Sequence, residues 1–475
     1  GGMPVEAIAR IEVIRGPGSV NFGSDALHGV INVISASPLQ ADQTVLGLDL
    51  GPDDYGRIKV DHNDSANQSR VQLVTTHDNG FKDASGYNQQ KANIAHRQQG
   101  ENLTVDTRLS ATLLDQETAG FVEGDKAYKS ASLRRDNPNP EAFRNAESLR
   151  LHSTVSWQNG ANSWRVTPYA RYSEMEFLQH FLPWKALEEN GQTSFGLQTF
   201  WQQIRNDETT LSAGIDVDYA NSFLKETQAQ DFSPTIQAGN HYDYDVDSLS
   251  LALFGQVTHQ LSETVGLDLG LRYTQTDYDY SNNLSDGTAC TDPTVNCRFN
   301  RPADRSDDFG DLSSHLALSW AVTDNVDLYG RLSQGFRAPQ TTELYRLQQG
   351  QASAELDSVE LESLEIGLRA NLDALRLNIA AYSQDKEGII LQDPNRNNIT
   401  GGETSHRGLE LEFEYHLAEQ WQLAGAVTWA KHRYANTVQV RGGSIDEGND
   451  VDTAPRTLGN IRLLWQDDSS NAQLE

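Results

Sequence analysis

Two cysteines in 475 residues are too few to staple a fold of this size. Cys290 and Cys297 lie in a polar stretch, Asp286 to Asp304, without His or further Cys at zinc spacing. A local loop disulfide is expected, which implies an oxidising compartment; two free thiols are the alternative. Apolar residues are also scarce, at 37%, with a mean hydropathy of −0.59. No run approaches the ~18 consecutive apolar residues of a membrane-spanning helix, which excludes a helical membrane protein. Basic residues are few: 37 Lys and Arg face 67 Asp and Glu, for a net charge of −30. Such a chain repels nucleic acid. No HExxH, Walker loop or zinc-spaced Cys/His set is present, so no enzyme class is indicated. No signal peptide opens the chain, and Gly1-Gly2-Met3-Pro4 reads as the interior of something longer. Aromatics, by contrast, are plentiful: 8 Trp, 16 Tyr and 15 Phe are too many for a solvated coil.

What fills the chain is alternation. Leu103, Val105, Thr107, Leu109, Ala111 and Leu113 alternate with Thr104, Asp106, Arg108, Ser110 and Thr112. Leu211 to Tyr219, Leu249 to Leu261, Val265 to Tyr273, Leu364 to Leu372 and Leu409 to Leu417 do the same. Side chains at i and i+2 share one face of a strand, so each segment has a greasy face and a wet face. Repeated segments of ~10 such residues are the signature of a transmembrane antiparallel β-barrel, and roughly eighteen are present. A soluble β-sandwich array or propeller is the alternative. Many segments end in Trp or Tyr, among them Trp157, Trp164, Tyr172, Trp201, Tyr219, Tyr273, Trp320, Trp421, Trp429 and Trp465, as membrane interfaces favour.

Connections alternate between short and long. Gln158–Asn162, Leu261–Thr264, Thr323–Asn325, Leu372–Ala374 and Ala418–Gln420 are short. Long ones are expected over Asp115–Ser148, Ala220–Ser248, Thr276–Gly310, Phe336–Glu360 and Arg433–Arg456. Outer-membrane barrels have short periplasmic turns and long external loops, so this parity assigns sidedness. After Leu458–Trp465, the segment Ala472–Glu475 starts a further strand and stops, which predicts a barrel incomplete at its C-terminus. Residues 1–40 break the pattern. Ile11–Arg15 reads as a strand, Gly16–Ser19 as a turn, and Val30–Ile34 as a largely apolar strand expected to be buried on both faces, inside the lumen. The division is thus 1–40 and 41–475.

The stretch Ala7–Gly23, including Arg15-Gly16-Pro17 and Gly23, followed by Gly29-Val30-Ile31-Asn32-Val33-Ile34, resembles the end of the plug domain in TonB-dependent outer-membrane receptors. Phe22 and His28 depart from the usual Tyr and Gly of that pattern. Gly335-Phe336-Arg337-Ala338-Pro339 with Glu343-Leu344-Tyr345 resembles a barrel motif of the same family, as do Glu365–Arg369 and Arg407–Leu411. The resemblance implies an all-β fold, a 22-stranded barrel in the intact family, with the C-terminal remnant of an α/β plug ahead of it. It implies a monomeric, non-enzymatic receptor without a cofactor, in the outer membrane of a Gram-negative bacterium among lipid and lipopolysaccharide. Such a receptor imports a ferric siderophore or similar iron complex, energised by the TonB complex. Cobalamin, another metal chelate or an oligosaccharide are alternative cargoes, and a passive porin or a phage or colicin docking surface are other classes. Haem is disfavoured, because no NPNL and no His lies between Arg337 and Gly367.

The resemblance also suggests a latch in which Arg15 pairs with Glu365 and Glu410, both turned inward by the alternation of their neighbours. The other reading leaves both glutamates facing lumen water. Cargo-binding candidates are loop aromatics, Phe177, His180, Phe181 and Trp184, with Tyr278, Tyr280 and Phe299 behind them; packing between loops is the competing reading. The acidity is read as loop solvation rather than as a site for bridging cations.

Overall fold

The computed structural model describes residues 7–292 and 294–475. Gly1–Glu6, the first part of the 1–40 segment, lie outside the described residues. Among the described residues, nineteen strands from Gln43–Leu50 to Asn471–Leu474 follow one another round a barrel, each antiparallel to the next. The ring order brings the last strand back beside the first, although no residue register joins them, and the four residues of the last strand are all exposed.

The alternation fixes which way each strand faces. Leu253, Ile366 and Leu409 are 61%, 58% and 51% exposed on the outer wall, an arrangement that water would penalise and hydrocarbon does not. Tight turns close one end. Asn159 pairs with Asn162 across Gly160, whose φ of +57° suits a two-residue hairpin. Asn206–Thr209, Thr323–Val326 and Ala418–Trp421 close as tightly.

Aromatic rings mark two levels on the wall. Near the tight turns Trp157 stacks on Trp164 at 5.8 Å, Trp164 meets Trp201 at 6.0 Å and Trp421 meets Trp465 at 6.4 Å. Eight residues further along the same strands stand Tyr172 and Trp429. Eight residues span about 27 Å of strand, or about 21 Å of height at a tilt of ~40°, close to the apolar band of an outer-membrane barrel.

Several strands run far beyond this band. Leu187–Asn206, Thr209–Gln228 and Gly239–Gln260 hold 20, 20 and 22 residues, where ~10 suffice to span. Most of the expected long loops are therefore shorter than their sequence spans. Ala220–Gln228 and Gly239–Ser248 are paired strand rather than loop, as is Phe177. Hydrophobic alternation stops where lipid stops, but the backbone ladder continues. Beyond the band these strands enclose a core of their own, in which Leu224, Tyr242, Tyr244, Val246, Tyr280, Phe299, Leu344, Tyr345 and Leu347 are buried. A small sheet of Gly287–Thr288, Phe299–Arg301 and Leu347–Gln348 closes it, and Cys290 is disulfide-bonded to Cys297 beside that sheet.

The front segment is an antiparallel hairpin, β1 (Ile8–Arg15) and β2 (Gly29–Ser35), joined through a short helix, α1 (Ser19–Phe22). Gly29 permits the close pairing, since a Cβ there would lie 2.8 Å from the Ile14 carbonyl. Val30–Ile34 is not buried on both faces. Ile31 and Val33 share one side with Ile11 and Val13, and all four are exposed. A two-stranded sheet covers only the face it turns to a neighbour, and no described residue covers this one.

Candidate functional site: the lumen seat and the outer mouth

The front hairpin sits in the lumen largely on polar and charged contacts, with a small apolar cluster of Leu27, Val359 and Leu361 beside them. Arg15, at the end of β1, donates from Nη1 to Glu410 Oε2 at 2.8 Å and also pairs with Glu412. Both carboxylates lie on the inward face of strand Asn398–Ala418. No hydrogen bond or ion pair joins Arg15 to Glu365 among the described residues. Glu365 lines the same cavity beside Tyr329. Glu412 was legible in principle, since it shares the parity of Glu410, but the family motif drew attention to Glu410 alone. The arginine is 46% exposed, so the pair is in contact with water.

Further contacts come from the barrel motif. Gly335 passes so close to the hairpin turn that a Cβ would lie 2.7 Å from Ser19 Oγ and 3.4 Å from Pro17 Cβ. The Phe336 carbonyl accepts from the Asp25 amide at 3.1 Å, and the Ala338 amide donates to Ser24 Oγ at 3.3 Å. Arg337 makes a bidentate pair with Glu343, at 2.8 and 3.1 Å. Glu343 also caps the helix Thr341–Tyr345 by accepting from the Gln340 amide at 2.8 Å. Pro339 leads into that helix, and the Tyr345 hydroxyl donates to Asp307 at 2.8 Å. The motif thus joins lumen seat to outer core.

Arginines complete the seat. Arg331 donates to the Pro17 carbonyl at 2.7 Å, just after Gly16, whose φ is +72°. Arg272, paired with Asp216 at 2.8 Å, lies against Gly23, where a Cβ would meet its guanidinium at 3.4 Å. His28 meets His406 edge-on at 5.5 Å, and His406 shares a hydrogen bond with His432 at 2.8 Å. Nothing in local sequence announces these pairings, because each joins residues far apart along the chain.

At the outer mouth the sequence candidates separate. Phe181 is 64% exposed, with His180 beside it. Trp184 packs inward against Phe232 and Phe299, under the Arg298 guanidinium at 4.5 Å. Tyr280 stacks on Tyr345 at 4.4 Å, and Tyr278 meets Phe309. Phe177 pairs in register with Glu188 and Arg144. These aromatics do not converge on one cavity. What does converge is an ion network missed by sequence reasoning. Arg346 lies 3.0 Å from Glu188 and also pairs with Glu226, which is 1% exposed. His241 Nδ1 meets Glu226 Oε1 at 2.8 Å, and Gln179 donates to Glu188 at 2.6 Å. Phe299 stacks on His241 at 3.7 Å. Burial works to raise the Glu226 carboxyl, but the His241 hydrogen bond and the Arg346 charge outweigh it and hold the group below its ordinary range. Glu226 stands seventeen residues from the tight turn at Thr209, well above the apolar band.

Comparison with known proteins agrees with this architecture. Residues 40–473 match the family model "TonB dependent receptor-like, beta-barrel". The vitamin B12 transporter BtuB of Vibrio vulnificus is 23% identical over 400 residues, 82% of this chain and 56% of that protein. The chain thus spans little more than half the length of that relative. The metal-pseudopaline receptor CntO of Pseudomonas aeruginosa is 21% identical over 520 residues, 97% of this chain and 68% of that protein. Among solved structures, the ferric yersiniabactin uptake receptor FyuA of Yersinia pestis superposes with a TM-score of 0.77 at 13% identity, over 98% of this chain and 72% of the other.

Proposed function

The chain belongs to the TonB-dependent receptor family, and from that premise we propose that it is part of an outer-membrane receptor importing a ferric siderophore or similar iron complex. The front hairpin is the last piece of a plug, and the long-loop end faces the exterior. Cargo binds at the outer face, and the TonB complex drives its passage by remodelling the plug. The receptor works as a monomer and performs no covalent chemistry.

The observation that carries this reading is the seat itself. The lumen holds the hairpin by Arg15 and Arg331, by close approaches at Gly335 and at Gly23 beside Arg272, and by one small apolar contact where Leu27 is buried against Val359 and Leu361. Polar contacts of this kind exchange with water at small net cost, so a seated plug can be displaced and can return. A passive porin needs an open lumen and has no use for such a seat.

Cobalamin is the second reading, favoured by likeness to the Vibrio vulnificus transporter. The test is uptake by cells carrying the full-length receptor. Radiolabelled ferric siderophores and labelled cobalamin are offered with and without a protonophore. Protonophore-sensitive iron uptake supports the proposal. Protonophore-sensitive cobalamin uptake without iron uptake selects the second reading, and uptake indifferent to the protonophore rejects both.

A further inference from the structure

On strands Asn398–Ala418 and Trp421–Tyr434, Leu409 and Trp429 face outward at the upper aromatic level. Directly above them Arg407 stands opposite Lys431 in register, and Arg433 follows opposite Ser405. All three cations are exposed on the outer wall. Like charges placed directly opposite across two strands repel. Neither Arg407 nor Lys431 forms an ion pair among the described residues. Lys431 instead lies over the Trp429 ring at 5.5 Å, and Arg433 reaches Asp450 at only 3.8 Å.

The setting is unusual for this wall. At two other places near this level the outward neighbours are acidic. Tyr172 donates to Glu147 and Glu174, and Tyr219 donates to Asp247. A chain of net charge −30 thus gathers three cations at one place beside its lipid face. A groove of about 670 Å³ lies there, with Asp385 and Glu447 also on its walls. By the height worked out above, Trp429 marks the top of the apolar band, so the cations stand at the level of lipid headgroups.

We propose that this groove binds a phosphate-bearing lipid of the outer leaflet. The phosphate sits between Arg407 and Lys431, with Arg433 beside it, and the acyl chains run down past Trp429 and Leu409. The anion relieves the repulsion of the opposed cations, and guanidinium and ammonium supply charge-assisted hydrogen bonds. The inference rests on the reading that the barrel lies in the outer membrane.

The full-length receptor is tested in two steps. Membrane fractionation first places it; absence from the outer membrane overturns both this inference and that reading. Protein from that fraction is then titrated in zwitterionic detergent with bisphosphorylated lipid A, dephosphorylated lipid A and phosphatidylcholine, and adducts are counted by native mass spectrometry. Preferential binding of the bisphosphorylated lipid is expected, weakened about tenfold or more in the double variant Arg407→Gln/Lys431→Gln. Lys126→Gln/Lys129→Gln, the same charge change on a distant loop, leaves it intact. Equal binding of phosphorylated and dephosphorylated lipid, or a double variant that binds like the parent, overturns the proposal with the membrane location intact. Displacement of lipid A by millimolar inorganic phosphate also overturns it, by making the site one for free phosphate.

Discussion

Replacing Arg346 with Ala strips the outer core of the cation that lies between Glu188 and Glu226. Those carboxylates are 8% and 1% exposed, so neither can turn to water. Removing one partner of a buried ion pair costs about 3–5 kcal/mol; Arg346 is itself 27% exposed, which places the loss near the lower end. A loss of about 3 kcal/mol raises the equilibrium for local opening over 100-fold. The assay is hydrogen exchange in detergent at the Tyr242, Tyr244 and Leu347 amides, referred to the membrane-level strands. The pH dependence supplies a second readout that differs between the two proteins. In the parent, Glu226 is held below its ordinary range, so its contribution is present above the unfolded-state value and fades as pH falls through the folded one. In the variant the Arg346 charge is gone and only the His241 contact still opposes burial, so the same carboxyl moves up. Protection then falls less steeply with acid than in the parent. Unchanged exchange in Arg346→Ala, or a variant whose protection falls with acid as steeply as the parent's does, would refute the reasoning.

The lumen seat yields two further expectations. Arg15→Ala should cost about 1 kcal/mol or less, because the arginine is nearly half exposed and its partners are in contact with water; chemical denaturation of the hairpin, followed by a fluorophore on Phe22→Cys, measures it. Gly335→Val should do far more, since its side chain has to displace Ser19 and Pro17, and the same probe should report an unseated hairpin while the barrel remains heat-stable.

Legibility in the sequence followed the solvent. Where lipid borders a strand, as from Leu409 to Leu417, alternation showed the strand, its face and its end. Beyond the lipid band the rule lost its cause, so Ala220–Gln228 and Gly239–Ser248 read as loop although the ladder runs through them. The hairpin strand Val30–Ile34 misled for the converse reason. Apolarity on both faces calls for cover on both, and in this chain only one side finds it. The outer ion network was invisible because Glu226 and Arg346 are 120 positions apart and carry no shared pattern.

That division has a physical logic of its own. The membrane wall must keep one face apolar at every second residue, so it writes its pattern into the sequence. The seat and the mouth need only a few convergent contacts, and these are made by single residues whose neighbours are free to vary. Arg15 at one end of β1 and Gly335 on the facing wall are contacts of that kind, one an ion pair and one a missing side chain. A hairpin held so must come away in steps. The pair at Arg15 exchanges with water singly, but the fit at Gly335 is lost only when the whole turn Gly16–Ser19 withdraws from the wall. A force applied to the hairpin should therefore break the Arg15 contacts before the turn leaves. Disulfide trapping of Ser19→Cys to Gly335→Cys in the full-length receptor should block transport even with Arg15 replaced by Ala. Transport that persists in the trapped protein would show that the turn stays seated while cargo passes.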